Sequence, residues 1–211
     1  STKASMGVYV FSWDKLRKYL TLDEQNPDSE NDFGKNIIPM LIDDGEKVYA
    51  YEFEGYWKDV GTIESLWEAN MEILNGQGVD LYDPEWRFYS RNPNEPPHYV
   101  AEEAVIKNSM VSEGCQVYGH VENSVLFYGS VVAAGAVVKD SIVLPDAVIE
   151  AGADVEYAII GQEAKVEPGA RIGEKKEKAG KGAIAVVGNE ITVGAGQKVA
   201  AGEMLAEDRR K

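Results

Sequence analysis

The spacing of hydrophobic positions changes character partway along the chain. After residue 98, aliphatic residues recur in steps of six: Val125, Val131, Val137, Val143, Ile149 and Val155, then Ile160, Val166 and Ile172 after a single stride of five. Val100 to Ile106 and Val111 to Val117 keep the same step. Two residues ahead of most of them sits a small one: Ala104, Ser109, Cys115, Gly129, Gly135, Ser141, Ala147, Ala153, Ala158, Ala164 and Ala170. A helical face repeats every ~3.6 residues, so this period belongs to another architecture. One hexad supplies a short strand and a corner, three hexads close a triangular coil, and the narrow interior of the prism takes small and branched side chains. The pattern predicts an all-β, left-handed parallel β-helix of hexapeptide repeats, with about four coils between Val100 and Ile172. In this register Val137 points inward and Lys139 outward, so aspartate is expected to be costly at the first and nearly silent at the second. Beyond Ile172, "GEKKEKAGKG" breaks the register, and Val187, Val193, Val199 and Leu205 restore the step without a clean row of small residues. A final atypical coil or cap is expected there.

The first part of the chain mixes element types. Lys47 to Phe53 is aromatic and β-branched between Gly45 and Gly55, which reads as a strand. Ile63, Leu66, Trp67, Asn70 and Leu74 fall at helical spacing, with Thr62 placed to cap the helix, Glu64 in its first turn and Gly76 to end it. Between these elements lies "YWKDVGT", residues 56 to 62, which puts Asp59 in a strand-to-helix loop just outside a helix N-terminus. Open α/β sheets bind ligands in such loops, and a metal-holding carboxylate suits the place. By spacing alone, a solvated loop acid or a hydrogen bond to the turn is the better reading. The joining stretch, "DPEWRFYSRNPNEPP", carries Pro84, Pro93, Pro96 and Pro97 with Trp86, Phe88 and Tyr89, and reads as a packed connector. The expected organisation is an α/β region over 1–80, a connector over 81–98 and the β-helix over 99–211.

Charge and composition narrow the function. Thirty-six acids against 21 Lys plus Arg give a formal net charge of -15, which argues against nucleic acid as a partner. Lys3, Lys35 and Lys58 remain local cations that a small phosphorylated ligand could use. The single cysteine, Cys115, excludes an internal disulfide framework, suits a reducing compartment and reads as packing. No apolar run reaches the ~18 residues of a membrane span, so a soluble cytoplasmic protein is expected.

Three motifs carry a resemblance. "KASMGVYVF" at 3 to 11, "NDFGKNIIP" at 31 to 39 and "YWKDVGTIESLWEAN" at 56 to 70, followed by the connector and the β-helix, are similar to bacterial glucose-1-phosphate adenylyltransferase, from Lys3 to about Ile172. The resemblance implies transfer of an adenylyl group from ATP to glucose 1-phosphate, giving ADP-glucose and pyrophosphate for glycogen synthesis. It implies that Asp59 is one of the carboxylates holding a catalytic Mg²⁺, that Ser5 binds glucose 1-phosphate, and that Asp32, Phe33 and Trp57 lie around the sugar. Read from the residues alone, Ser5 could end a strand, Asp32 could cap a helix beginning near Phe33, and Trp57 could be core. The resemblance also implies a tetramer built on the β-helix, or a hetero-oligomer with a related subunit. The family's glycine-rich nucleotide loop, basic catalytic residues and second metal carboxylate would all lie before Ser1. The chain is therefore expected to be the C-terminal part of a longer enzyme and inactive alone.

Two other readings compete. A non-catalytic regulatory subunit of the same family would keep the β-helix and lose the site, against which Asp59 and Ser5 argue. A hexapeptide-repeat acyltransferase would need a histidine base, for which His120 in "VYGHVENS" is the candidate, since His98 lies in the connector.

Overall fold

The structure is a computed structural model that describes residues 3–174 and 183–209. Its contacts gather the chain into two compact units, Ser1–Trp57 and Lys58–Lys211.

The first unit is built on helix α1 (Trp13–Glu24), a wide turn over Phe33–Ile37 and helix α2 (Ile38–Asp43). Tyr19, Ile37 and Leu41 are its buried core, with Phe11, Phe33 and Met40 packed at the edge. The Tyr19 hydroxyl donates to Asp44 at 2.7 Å, tying α1 to the end of α2, and Lys18 adds a 3.3 Å contact to the same carboxylate. The phenol hydroxyl and then Lys18 hold the Asp44 carboxyl below its ordinary range. Burial in turn pushes the phenol up. Because Asp44 titrates lower in the folded chain, its tether is intact at neutral pH and is lost only as pH falls through that lowered value. The expected strand over Lys47–Phe53 does not form. A strand exists only with a partner, and none lies beside this stretch among the described residues. Tyr49 and Tyr51 are 85% and 89% exposed there.

The second unit is a parallel β-solenoid carrying helix α3 (Ile63–Leu74). Three six-stranded parallel sheets form its faces. One runs through Tyr99–Val100, Gln116–Val117, Val131–Val132, Val148–Ile149, Lys165–Val166 and Thr192–Val193. The second takes Val105–Lys107, His120–Glu122, Val137–Lys139, Asp154–Glu156, Arg171–Gly173 and Lys198–Val199. The third takes Met110–Val111, Val125–Leu126, Ile142–Val143, Ala158–Ile160, Ala185–Val187 and Met204–Leu205. The fold class is therefore as the six-residue step indicates, but with six coils among the described residues. Four complete coils and the beginning of a fifth lie between Val100 and Ile172, the number the spacing predicts.

The register differs from the expectation in the middle coils. Leu126, Val132 and Val138 fill the interior at 0% exposure, whereas Val131 and Val137 face outward, half-buried. Val125 is buried outside the coil, beneath α3. The small inward residues are accordingly Ser130 and Ala136, not Gly129 and Gly135. Leu126 to Val132 to Val138 are strides of six, and the next, to Val143, is five. Strand partners such as Leu126 and Val143, or Val132 and Ile149, thus lie 17 residues apart. From Val143 to Ile172 the interior row is the expected one.

The short corner explains the missing residue. Asn123, Asp140 and Tyr157 turn there with φ of 48°, 47° and 51°, left-handed values that short polar side chains tolerate best. After Asn123 and Asp140 a serine follows, and its hydroxyl accepts a backbone N–H of the next coil. Ser124 Oγ accepts from Ser141 N at 3.1 Å, and Ser141 Oγ accepts from Ala158 N at 3.1 Å. A tighter corner at Val117–Val121 drops two further residues and needs Gly119, because a Cβ there would lie 2.5 Å from the Ala136 carbonyl oxygen.

The C-terminal strands continue the stack on all three faces. Ile160 pairs with Val187, 27 residues on, so an insertion is accommodated at the short corner and the three faces resume. The lysine-rich segment at 175–182 lies outside the described residues. The connector is less packed than expected: Trp86, Phe88 and Tyr89 are 72%, 54% and 91% exposed, and it meets the first coil where the Pro96 carbonyl accepts from Gly114 N at 2.6 Å.

Helix α3 belongs with the solenoid, although its residues fall before 80. Trp67 and Met71 pack on Val125, Ile142, Tyr157, Ile159 and Ile184.

The register generates a direct test. Val138→Asp places an unpaired charge in a dry prism and should cost roughly 3–5 kcal/mol, whereas Val137→Asp faces solvent and should cost under about 1 kcal/mol. Equal melting shifts for the two variants would contradict the assigned interior.

Candidate functional site

Ser5, Asp32 and Phe33 lie in the first unit, and Ser5 and Phe33 are linked through Tyr9, a residue that the motif reading passed over. The Ser5 and Tyr9 hydroxyls are 2.9 Å apart, and the Tyr9 ring stacks on Phe33 at 5.6 Å between centroids. Phe11 completes the group at 5.7 Å from Phe33. The signal was present in "SMGVYVF", where Ser5 and Tyr9 are four residues apart beside Phe11. Ser5 Oγ also accepts from Gly7 N at 3.2 Å, so it shapes a turn.

Asp32 caps the turn that Phe33 opens. Its Oδ1 accepts from Lys35 N at 2.8 Å, and its own N–H donates to Asn36 Oδ1 at 3.2 Å. One carboxylate oxygen is thereby committed to the backbone while the residue stays exposed. Trp57 is not core. It is 47% exposed, with no ring or hydrogen-bond partner among the described residues.

Asp59 lies in the second unit, in the loop entering α3. Its Oδ1 accepts from Gly61 N at 3.0 Å, the turn bond anticipated from sequence, and its side chain is exposed, so Oδ2 remains available. The helix it precedes is firmly started. Thr62 Oγ1 accepts from Ser65 N at 3.1 Å while Ser65 Oγ accepts from Thr62 N at 3.1 Å, a reciprocal cap. Glu64 stands in the first turn. Among the described residues no group of three His, Cys, Asp or Glu could hold a metal, so they contain no complete cage. Mg²⁺ takes one or two carboxylates with phosphate oxygens and water, and a single exposed carboxylate fits that habit.

The local cations are all paired. Lys3 contacts Glu52 at 2.5 Å and Lys35 pairs with Glu30. Lys58 sits between Glu72 at 2.7 Å and Glu68 at 2.9 Å, and these hydrogen bonds, Glu72 first, raise its pKa. Glu68 and Glu72 are one helical turn apart, a spacing visible in the sequence but not connected there to Lys58.

His120 lies on an outer face of the solenoid. Its Nε2 is 3.3 Å from Glu122 without a hydrogen-bond alignment, and Glu122 is itself held by Lys107 at 2.8 Å and Lys139 at 3.5 Å. His98 is an exposed connector residue.

Comparisons with known proteins agree with the two-part reading. Residues 1–76 match the nucleotidyl transferase family, and residues 97–200 match the family described as GlmU-like, C-terminal hexapeptide. Proteins named glucose-1-phosphate adenylyltransferase from Bacillus thuringiensis (strain Al Hakam), Bacillus anthracis and Bacillus mycoides (strain KBAB4) are each 54% identical over 141 residues, 66% of this chain. The chain spans 38% of the length of these curated relatives. The resemblance read from the three motifs therefore holds. No helix among the described residues is long and apolar enough to cross a membrane.

Asp32 yields a test that needs no substrate. Asp32→Ala should lose the cap and about 1 kcal/mol of stability, whereas Asp32→Asn keeps an acceptor and should lose only a few tenths. Equal losses in melting experiments would remove the cap from the account.

Proposed function

We propose that this chain is the C-terminal part of a glucose-1-phosphate adenylyltransferase, an enzyme that moves an adenylyl group from ATP to glucose 1-phosphate in the cytoplasm for glycogen synthesis. The observation that carries the proposal is the 54% identity to proteins of that name. In this reaction a phosphate oxygen of glucose 1-phosphate attacks the α-phosphorus of ATP. A new P–O bond forms, the bond to the β-phosphate oxygen breaks, and pyrophosphate leaves with ADP-glucose as the other product.

Asp59 is assigned the role of holding Mg²⁺. The Gly61 N–H fixes one of its oxygens, and the residue is exposed. Bound there, the metal would neutralise charge on the α-phosphate. Ser5, held by Tyr9, is assigned to glucose 1-phosphate, and Asp32, Phe33 and Trp57 to the surroundings of the sugar. The solenoid is assigned to assembly as a tetramer, with identical or related subunits. A regulatory-subunit reading predicts no dependence of turnover on Asp59. An acyltransferase reading must make a base of His120, which sits in a lattice of Glu122, Lys107 and Lys139.

The test is Asp59→Asn in the full-length enzyme. Asparagine keeps the size and the acceptor for Gly61 N but removes the charge, so kcat should fall by about 10²-fold or more, with weaker Mg²⁺ dependence and little change in melting temperature. A variant that melts earlier yet turns over normally per folded molecule would leave Asp59 as a turn residue only.

A further inference from the structure

Helix α3 joins the Asp59 loop to the wall of the solenoid, and the attachment is more specific than apolar packing requires. The Trp67 indole N–H donates to the Asp140 carbonyl at 2.7 Å, at one of the left-handed corners. Its ring meets Tyr157, the equivalent corner residue one coil on, edge to face at 5.0 Å and 87°. At the far end of the helix, Asn75 Oδ1 accepts from Asn108 Nδ2 at 3.2 Å, and Asn108 donates in turn to Asn123 at 3.0 Å. The corner positions of successive coils thus grip one helix at its middle and its end. At its start, Lys58 immediately before Asp59 is clamped to Glu68 and Glu72 on the helix itself, and Thr62 three residues after Asp59 is fixed by the reciprocal cap. The backbone on both sides of Asp59 is therefore held to a helix whose own orientation is fixed by the solenoid.

We infer that Trp67 and Lys58 are positioning residues for Asp59, so that the solenoid, through its short corners, sets where the carboxylate points in addition to any part in assembly. The inference rests on the reading of Asp59 given above. A carboxylate on an exposed loop has no packing of its own to fix it, and misplacement of a catalytic group by about 1 Å can cost on the order of 10²-fold in rate. The corner geometry supplies the missing constraint from a distance. Trp67 is 5% exposed, so its donor cannot be replaced by water without disturbing the packing.

The test uses the full-length enzyme with two readouts. Trp67→Phe keeps a ring against Tyr157 and removes the indole donor. Lys58→Met releases the clamp without touching the packed face, and so remains informative if Trp67→Phe folds poorly. In both variants, hydrogen exchange at the Gly61 and Ser65 amides should quicken by about tenfold while amides of the central coils stay unchanged. Both should also lower kcat by roughly tenfold with KM for glucose 1-phosphate within about twofold. Unchanged exchange at Gly61 and Ser65 would overturn the attachment, whatever the activity. Faster exchange with an unchanged kcat, in a protein where Asp59→Asn does lose rate, would overturn the positioning role. If Asp59→Asn is itself silent, the reading beneath the inference fails instead, and the exchange result still decides whether the solenoid holds the loop.

Discussion

The interior of the triangular prism admits one branched side chain per strand and one small residue per corner, and this limit shapes everything attached to it. Among the described residues, 22 buried ones, nearly all Val, Ile, Leu or Ala, make one continuous core along the coil axis. With no room for a larger group, coil length can vary only at the corners. Two strides of six and one of five give the 17-residue repeat in the middle coils. The short stride forces a left-handed residue, and Asn123, Asp140 and Tyr157 stack there. That corner then becomes the docking place for α3 through Trp67. Steric economy inside the coil thus dictates where the outer helix sits.

Much of the fold was legible in the sequence because a six-residue step has no helical or alternating counterpart. The interior row was harder to read where two aliphatics are adjacent. Val125 and Leu126, Val131 and Val132, and Val137 and Val138 each offer a candidate for the inside. Choosing the first of each pair preserves the step of six across a corner that actually takes five. Only the partner coil decides, since Leu126 must stand beside Val143. The stretch at Lys47–Phe53 failed for a different reason: propensity describes a residue's fitness for a sheet but cannot supply the neighbouring strand. The aromatics of the connector misled similarly, being apolar enough to suggest packing that the chain does not provide.

The site was legible in its parts and not in its links. Asp32 as a cap, Asp59 bonded to its turn and Thr62 capping α3 all follow from local chemistry and are all present. Tyr9 between Ser5 and Phe33 is a contact of side chains that spacing alone could not rank. The lysines show the same limit. Each was a candidate for phosphate, yet Lys3, Lys35 and Lys58 are all occupied by glutamates in this strongly acidic chain. A phosphorylated ligand would have to share or displace those partners, which gives such sites a salt-sensitive character.

Adenylyl transfer is the central claim, and it is tested most directly by following both products from one reaction of the full-length enzyme with ATP, glucose 1-phosphate and Mg²⁺. The account predicts ADP-glucose and pyrophosphate in equal amounts, with neither formed when glucose 1-phosphate is omitted. Folded protein that makes neither product, or that instead releases CoA from an acyl-CoA, would contradict it.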